Sequence, residues 1–323
     1  MTDFDPPRLL RSPHLQTLIG SRGRRHWVKA RARDLLVATE RHSLTTEDGV
    51  TLEVWLSRQH LDAPTVILLH GWLGHADSSY LLSAAAQLWH AGFSVARLNL
   101  RDHGDTAHLN REMFHSARIQ EVVEAVRQIE SVHATGPCGL AGFSLGGNFA
   151  LRVARAHPLP TIAVCPAMDP AVTMRQIDSG WAGYRLFFVR KWHRALRAKQ
   201  QAFPGDYSFD QALRLRTVSE LTDLFVSQQT DYPSTQAYFD AYSLTGNTLQ
   251  GIRATIVYAE DDPVIPCSGF LNLPDTLHLT RVARGGHCAF VERLNQPAWI
   301  DRLLTENFSA ALLPEAETGQ PAH

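Results

Sequence analysis

The chain has few cysteines and no paired cysteine motif. Four occur in 323 residues, at Cys138, Cys165, Cys267 and Cys288, and no two are spaced as C-x-x-C. Three of them fall in or beside predicted strands or in the loop around the candidate site. This placement favours buried free thiols over disulfides or a zinc site. We therefore expect neither a metal nor an organic cofactor.

The sequence also lacks a membrane span, a signal peptide and an excess of one charge. No apolar run approaches the length of a bilayer-spanning helix, and residues 1–7 have neither the basic nor the apolar part of a signal peptide. Lys and Arg number 31 against 32 Asp and Glu, for a net charge of -1, which argues against nucleic acid as a partner. We expect a soluble, cytoplasmic protein without a stable membrane anchor, for which transient membrane contact stays open.

An alternation of apolar strands and helices fills most of the chain. The run at 65–69 is continuously apolar, as expected for a strand buried on both faces of a parallel sheet. An Asp-Gly turn at 48–49 separates two runs of β-forming residues, which predicts an antiparallel hairpin. We predict an α/β fold whose doubly wound, mostly parallel sheet begins with this hairpin. Further strands are predicted at 93–100, 138–143, 161–165, 254–259 and 277–282, and helices at 78–90, 117–132, 149–156 and 296–308.

Residues 168–250 interrupt this alternation, because they contain helical stretches but no obvious buried strand. We predict that they form a helical cap inserted into a core of residues 41–167 and 251–310. Residues 1–40 are basic and irregular in pattern, and we expect them to form an arm packed on the core. The composition of residues 311–323 predicts a flexible tail.

The most informative motif is Gly142-Phe143-Ser144-Leu145-Gly146, which follows a predicted strand and precedes a predicted helix. A G-x-S-x-G turn holds its serine in a strained backbone conformation and presents the hydroxyl above the sheet. The glycines allow the strand and the helix to approach closely. This pattern predicts that Ser144 is a nucleophile.

A nucleophilic serine requires a base and an acid that orients the base. In folds with this motif the chain order is Ser, then Asp or Glu, then His. The strand at 254–259 leads into Asp261 and Asp262, and the strand at 277–282 leads into His287. All of these lie past strand ends, at the edge of the sheet where Ser144 is expected. We predict that His287 is the base and that one of the two Asp residues orients it, since consecutive residues cannot both face the ring.

Two backbone N–H groups are expected to stabilise a developing oxyanion. One belongs to Leu145, directly after the nucleophile, and the other to the loop after the third strand. That loop has the sequence His-Gly-Trp-Leu-Gly at 70–74, and we place the second donor on Trp72. His70 is interpreted as a structural support of the loop.

These motifs together resemble the YheT-like family of α/β-hydrolases. The matching segments are Arg11-Ser-Pro-His-Leu-Gln-Thr-Leu18, 70–74, 142–148, 260–263 and 286–287. The spacing from Asp262 to Pro266 resembles the acid loop of this superfamily, so we prefer Asp262 over Asp261, which is left a capping or solvent-facing role. The resemblance implies the α/β-hydrolase fold and hydrolysis of carboxylic esters. Its members act on short- or medium-chain acyl esters, monoacylglycerols or phospholipids, or transfer acyl groups to alcohols.

We therefore expect a serine esterase or lipase whose substrate is a small acyl ester or lipid. The alternatives are an acyltransferase that uses the same acyl-enzyme and a non-catalytic ligand-binding protein of the same fold; binding alone does not require the full set of catalytic residues. Aromatic side chains of the predicted cap either line an acyl pocket or pack the cap onto the sheet, namely Tyr184, Phe187, Phe188 and Trp192. The basic residues around them are interpreted as a solvated helix face.

Overall fold

The computed structural model describes residues 4–313. In this part of the chain the strands are β1 (Thr39–Thr45), β2 (Thr51–Ser57), β3 (Thr65–Leu69), β4 (Ser94–Asn99), β5 (Cys138–Phe143), β6 (Thr161–Val164), β7 (Ala254–Ala259) and β8 (Leu277–Val282). They form one sheet in the order β1-β2-β4-β3-β5-β6-β7-β8. The pairs β1–β2 and β2–β4 are antiparallel, and the other pairs are parallel.

Single helices alternate with the strands from β3 to β6, and the same range of residues contains eleven α-helices. They are α1 (Pro13–Leu18), α2 (Arg25–Arg31), α3 (Arg33–Val37), α4 (Ser79–His90), α5 (Gln120–Gln128), α6 (Leu145–Ala156), α7 (Pro170–Ser179), α8 (Ala182–Ala202), α9 (Val218–Gln229), α10 (Thr235–Asp240) and α11 (Trp299–Leu312). Helix α5 is shorter than the predicted 117–132, because the chain widens into a π-helical turn at Ile129–His133.

Both faces of the sheet are covered, and the strands β3 to β7 each contribute to two cores. On β3, Val66 and Leu68 belong to a core cluster with residues of α4 and α11, whereas Ile67 and Leu69 belong to a cluster with residues of α5 and α6. Every residue of β3 is buried. Burial on both faces is what a continuous apolar run predicts. The predicted α/β architecture with its N-terminal hairpin is confirmed.

Much of the segment before β1 is helical, so the prediction of an irregular arm is wrong in its secondary structure. The Ser12 side chain caps α1 by accepting a backbone hydrogen bond. Val28, Ala32 and Leu35 recur at helical spacing along α2 and α3, are fully buried, and belong to the cluster that contains α4. The many basic residues between them obscure this short apolar stripe in the sequence.

Four helices, α7 to α10, lie between β6 and β7. Residues 165–253, all described by the structure, contain no strand, in line with the helical pattern of this stretch. Asp169 caps the start of α7, and Thr217 with Glu220 forms a capping box at the start of α9. Their apolar residues join the core cluster that contains α5 and α6, so these helices are packed onto the same core.

Helix α11 reaches Leu312 and so enters the predicted flexible tail at 311–323. The part of that tail from residue 314 onward lies outside the described residues. Among the helices within residues 4–313, none combines the length and apolar character needed to cross a bilayer.

Candidate active site

Ser144 lies in a strained turn between β5 and α6. Its φ is 56° and its ψ is −120°, a combination that residues with a side chain rarely adopt. A Cβ on Gly142 would lie 2.0 Å from the carbonyl oxygen of Gly146, and a Cβ on Gly146 would lie 2.4 Å from that of Leu69. Only glycine fits at these two positions. The turn therefore has the close approach of strand and helix that the motif requires.

Ser144, His287 and Asp262 are joined by two hydrogen bonds. Nε2 of His287 lies 3.0 Å from Ser144 Oγ, and Nδ1 of His287 lies 2.8 Å from Asp262 Oδ2. The other carboxylate oxygen of Asp262 accepts the backbone N–H groups of Val264 and Ile265 at 2.8 and 2.9 Å. These two bonds fix the plane of the carboxylate. The structure thus brings together the three residues that the sequence analysis singles out.

Asp261 has a different partner. Its Oδ1 accepts the backbone N–H of Gly286 at 3.0 Å, and its Oδ2 has no hydrogen-bond partner among the described residues. Asp261 therefore supports the backbone just before His287, whereas Asp262 contacts the ring. The two consecutive carboxylates occupy separate places.

The charged groups around His287 favour the imidazolium form of its ring. Burial disfavours the imidazolium, but the negative charge of Asp262, together with Cys288, outweighs this and raises the pKa of His287 well above its ordinary value. In the neutral form of the ring, the single proton lies on Nδ1, because the Asp262 carboxylate can only accept a hydrogen bond. Nε2 is then left to accept a proton from the Ser144 hydroxyl.

Helix α1 supports the loop that carries His287, which the sequence analysis does not anticipate. The Thr17 hydroxyl accepts the backbone N–H of His287 at 2.9 Å. The Gln16 amide bonds both backbone groups of Val291, with each distance 2.8 Å. Gly286 has φ of 57°, and a Cβ there would lie 2.6 Å from the carbonyl oxygen of Pro13. Both polar residues belong to the segment 11–18 that carries the family resemblance, and that segment is the signal that could have revealed them.

The loop after β3, which contains Trp72, approaches Ser144. A Cβ on Gly71 would lie 3.1 Å from Ser144 Cβ. The Gly71 N–H donates to the Tyr80 hydroxyl at 2.8 Å. Nε2 of His70 accepts the backbone N–H of Leu100 at 3.1 Å, so His70 braces this loop. Leu145 is the first residue of α6, where a backbone N–H has no partner within its own helix.

A mainly apolar cavity of about 130 Å³ opens beside Ser144. Its walls come from the loops after β3 and β4 and from helices α7 to α10. The side chains that enclose it include Trp72, Met174, Ile177, Phe188, Trp192, Phe225 and Tyr238. Trp72 stacks on Phe188 with ring centroids 5.5 Å apart and meets Trp192 edge-on at 5.0 Å. The helices between β6 and β7 therefore contact the loop assigned to the oxyanion.

The four aromatic residues predicted for an acyl pocket are divided by the structure. Phe188 and Trp192 line the cavity, whereas Tyr184 and Phe187 are not among its lining residues. The Tyr184 hydroxyl is 3.0 Å from Nδ1 of His14. Phe187 lies beneath the cations of Lys191 and Arg22 at 5.1 and 5.5 Å. Phe187 lies on another face of α8. Tyr184, four residues before Phe188, is on the same face as Phe188 but one turn nearer the start of the helix.

Lys199 of α8 is buried and Lys191 is half-buried, so the interpretation of the basic residues of this helix as a solvated face is wrong for these two. Lys191 Nζ donates to the carbonyl oxygen of Leu73 at 2.7 Å, and burial lowers the pKa of Lys191 to about 8. Lys199, 1 % exposed, bonds Asp102 at 2.9 Å and the carbonyl oxygen of Asn110 at 2.5 Å. Arg190, Arg194 and Arg197 are exposed as predicted. The two lysines fasten α8 to loops at the edge of the sheet.

Replacing Lys199 with methionine is expected to lower the free energy of unfolding by about 3–5 kcal/mol, since Asp102 would stay buried without its cation. The measurement is urea denaturation, with Arg190→Met as the matched control on the same helix. That control should change the free energy by less than about 0.5 kcal/mol because Arg190 is exposed. Equal losses of unfolding free energy in the two variants would contradict a stabilising role of the buried Lys199–Asp102 pair.

The fold and the serine turn together define an α/β-hydrolase. The chain belongs to the alpha/beta hydrolase family, which matches residues 66–301. It is 23% identical over 317 residues to the protein YheT of Escherichia coli (strain K12), and the alignment covers 93% of this chain and 91% of YheT. The resemblance to YheT-like proteins is thereby confirmed.

Two further comparisons give more distant similarities. Over 287 residues the chain is 22% identical to the medium-chain fatty acid ethyl ester synthase/esterase 2 of Saccharomyces cerevisiae. That alignment covers 78% of this chain and 63% of the yeast protein. The fold is similar to that of an esterase from Pyrococcus furiosus, with a TM-score of 0.57 at 17% identity over 87% of this chain and 93% of the other.

Proposed function

We propose that the protein is a serine hydrolase that cleaves carboxylic esters, with Ser144, His287 and Asp262 as its catalytic residues. The observation that carries this proposal is the pair of hydrogen bonds from Ser144 Oγ through His287 to Asp262, at 3.0 and 2.8 Å. A hydroxyl, an imidazole and a fixed carboxylate in this order are the groups needed to activate a serine. Membership of the hydrolase family supports the same conclusion.

In the proposed reaction, Ser144 Oγ attacks the ester carbonyl while His287 Nε2 takes its proton. The backbone N–H groups of Leu145 and Trp72 stabilise the oxyanion of the tetrahedral intermediate. His287 then gives the proton to the leaving alcohol, and the acyl group stays on Ser144. Water, deprotonated by His287, attacks this acyl-enzyme, and collapse of the second intermediate releases the acid and restores Ser144. Asp262 holds the ring orientation and stabilises the imidazolium throughout.

The cavity beside Ser144 supports an acyl ester as the substrate class. Its lining is mainly apolar and aromatic, and it is enclosed by helices of the proposed cap at 168–250. Burial of an acyl chain there is favoured by roughly 0.8 kcal/mol per methylene group. Because this apolar cavity of about 130 Å³ lies directly beside Ser144, we propose short- to medium-chain acyl esters or monoacylglycerol-like lipids as substrates.

Acyl transfer to an alcohol is the second candidate function. It is favoured by the similarity to the yeast protein whose name describes both ester synthesis and esterase activity. Both reactions share the acyl-enzyme on Ser144 and differ only in the nucleophile that releases the acyl group. Product analysis with water and ethanol in competition separates them, because only transfer yields the ethyl ester.

The function is tested with p-nitrophenyl esters from acetate to palmitate, together with labelling by a fluorophosphonate. We expect hydrolysis with an optimum at short or medium chain length, and label on the peptide that contains Ser144. The absence of both hydrolysis and labelling would contradict the proposal. Hydrolysis without an optimum would contradict the assignment of the cavity as the acyl site.

Two neighbouring phenylalanines provide a matched pair for that assignment. Phe188 lines the cavity and Phe187 does not. Phe188→Ala should therefore shift the optimum toward longer chains, whereas Phe187→Ala should leave it in place. A shift of equal size in both variants would mean that the effect comes from the helix as a whole.

A further inference from the structure

Two cysteines lie beside His287, and the proposed reaction gives neither of them a role. Cys165 directly follows β6, and Cys288 follows His287 in the chain. The two Sγ atoms and a ring nitrogen of His287 all lie within 4.8 Å of one another. Both thiols are free and buried, with exposures of 0% for Cys165 and 5% for Cys288. A cluster of two thiols and an imidazole at this edge calls for an explanation.

The backbone holds both thiols in place. Cys165 and Cys288 have φ values of 45° and 58°, in the left-handed region that residues with a side chain rarely adopt. Cys288 Sγ donates to the carbonyl oxygen of Val164 at 3.7 Å and lies 3.9 Å from His287 Nε2. Two strained residues thus place their sulfur atoms next to the nitrogen that serves Ser144. Strained backbone of this kind concentrates at functional positions.

We propose that Cys165, Cys288 and His287 form a site for a zinc ion, and that the bound ion inhibits the enzyme. The inhibitory part rests on the proposed function. Two sulfurs and one imidazole nitrogen, with a fourth position open to water, are a donor set that zinc takes in proteins. On binding, both thiols release their protons to solvent, and His287 contributes the Nε2 lone pair.

The distances are close to those of such a site. With Zn–S bonds of about 2.3 Å and a Zn–N bond of about 2.0 Å, tetrahedral ligand atoms lie about 3.5 to 3.8 Å apart. The 3.9 Å between Cys288 Sγ and His287 Nε2 is already near this value, and the outer limit of 4.8 Å within the cluster requires about 1 Å of contraction. Side-chain rotation is sufficient for a movement of this size.

The contact between His287 and Asp262 also suits a metal ligand. An imidazole that binds zinc through one nitrogen generally donates its other N–H to a carboxylate, which fixes the tautomer and strengthens the ligand. Asp262 accepts from Nδ1 at 2.8 Å and leaves Nε2 available. Asp262 would thus orient His287 for a metal ion as well as for Ser144.

Inhibition follows from the competition for one lone pair. Nε2 of His287 cannot coordinate zinc and at the same time accept the proton of Ser144, 3.0 Å away. The His287 side chain is 13% exposed and Cys165 is fully buried, so His287 is the more accessible of these two ligands. Zinc binding to Nε2 and acylation of Ser144 therefore exclude each other.

The experiment uses chelator-treated full-length protein under a metal-free reductant, titrated with Co²⁺ as a spectroscopic substitute for Zn²⁺. Thiolate-to-cobalt charge-transfer absorption should rise to one equivalent in the wild type and in Cys267→Ser, whose thiol is exposed and outside the cluster. Cys165→Ser and Cys288→Ser should lose it. Zn²⁺ should inhibit p-nitrophenyl butyrate hydrolysis, with an inhibition constant at least about 10-fold higher in these two variants.

The cobalt spectrum does not depend on catalysis, so the zinc site and the proposed ester hydrolysis can each be contradicted without the other. Charge-transfer absorption that is missing from the wild type, or that persists in both cluster variants, would overturn the zinc site even if the ester is hydrolysed. Absorption with the expected pattern supports the site even if no ester is cleaved, and in that case only the inhibitory part falls. Circular dichroism establishes that each serine variant is folded before its absorption is interpreted.

Discussion

Replacing Ser144 with alanine is expected to lower kcat for ester hydrolysis by about 10⁵-fold or more, to the level that binding and the oxyanion donors alone supply. Alanine has no oxygen to form the acyl-enzyme. It occupies no more space than serine, so the turn with its φ of 56° stays populated and the thermal unfolding midpoint should change little. The measurement is kcat on p-nitrophenyl butyrate, with unfolding followed by circular dichroism.

The matched control for this variant is Ser116→Ala. Ser116 is buried and lines the same cavity, but the proposed reaction does not use its hydroxyl. Loss of the Ser116 hydroxyl should lower kcat far less than loss of the Ser144 hydroxyl. Retention of more than about one-hundredth of the activity by Ser144→Ala would mean that another group is the nucleophile.

Asp262→Asn should lower kcat by about 10⁴-fold, the size of effect seen when a triad carboxylate becomes an amide in a serine protease. The cause is the tautomer of His287. In the wild type, Asp262 Oδ1 accepts from Val264 and Ile265, while Oδ2 faces Nδ1. The amide oxygen of asparagine would keep the two backbone bonds, so its NH₂ group would face Nδ1. That arrangement favours the proton on Nε2, where the ring can no longer accept the proton of Ser144.

Asp261→Asn is the control at the adjacent position, with the same change of charge. Asparagine can still accept the N–H of Gly286 through its amide oxygen, so we expect kcat to fall only a few-fold, within the range of an ordinary loop substitution. Parallel pH–rate profiles of the two variants check that the Asp262 effect is not simply a shifted optimum. Equal losses in both variants, or a larger loss at Asp261, would reverse their assignment.

The parts of the site that the sequence predicts are those encoded by local chemistry. The turn at Ser144 depends on two glycines within five residues, and the positions of Asp262 and His287 follow from where β7 and β8 end. Strand ends can be located from apolar runs because burial on both faces leaves a continuous pattern. The sheet and the arrangement of Ser144, Asp262 and His287 could therefore be predicted from the sequence.

Contacts between distant segments were out of reach. Periodicity could not tell that Phe188 lines the cavity and Phe187 does not, since both are aromatic residues on one helix. Nor could it tell that Lys199 is buried, because a partner such as Asp102, 97 positions away, is visible only after folding. The neighbouring thiols of Cys165 and Cys288 were likewise predicted to be buried, but not to meet beside His287. In each case the missing information is which side chains the tertiary packing brings together.

The bond between Thr17 and His287 joins residues 270 positions apart, and this separation has a consequence for a nascent chain on the ribosome. When the turn with Ser144 has emerged, β7, β8 and the histidine loop are still to be made, so the serine has no base. The loop reaches its supported position only after β8 has joined the sheet and the loop has met a segment that was made 270 residues earlier. Cleavage of esters is thereby withheld from partly synthesised chains, and the completed fold is the first form of the protein equipped to act on its substrate.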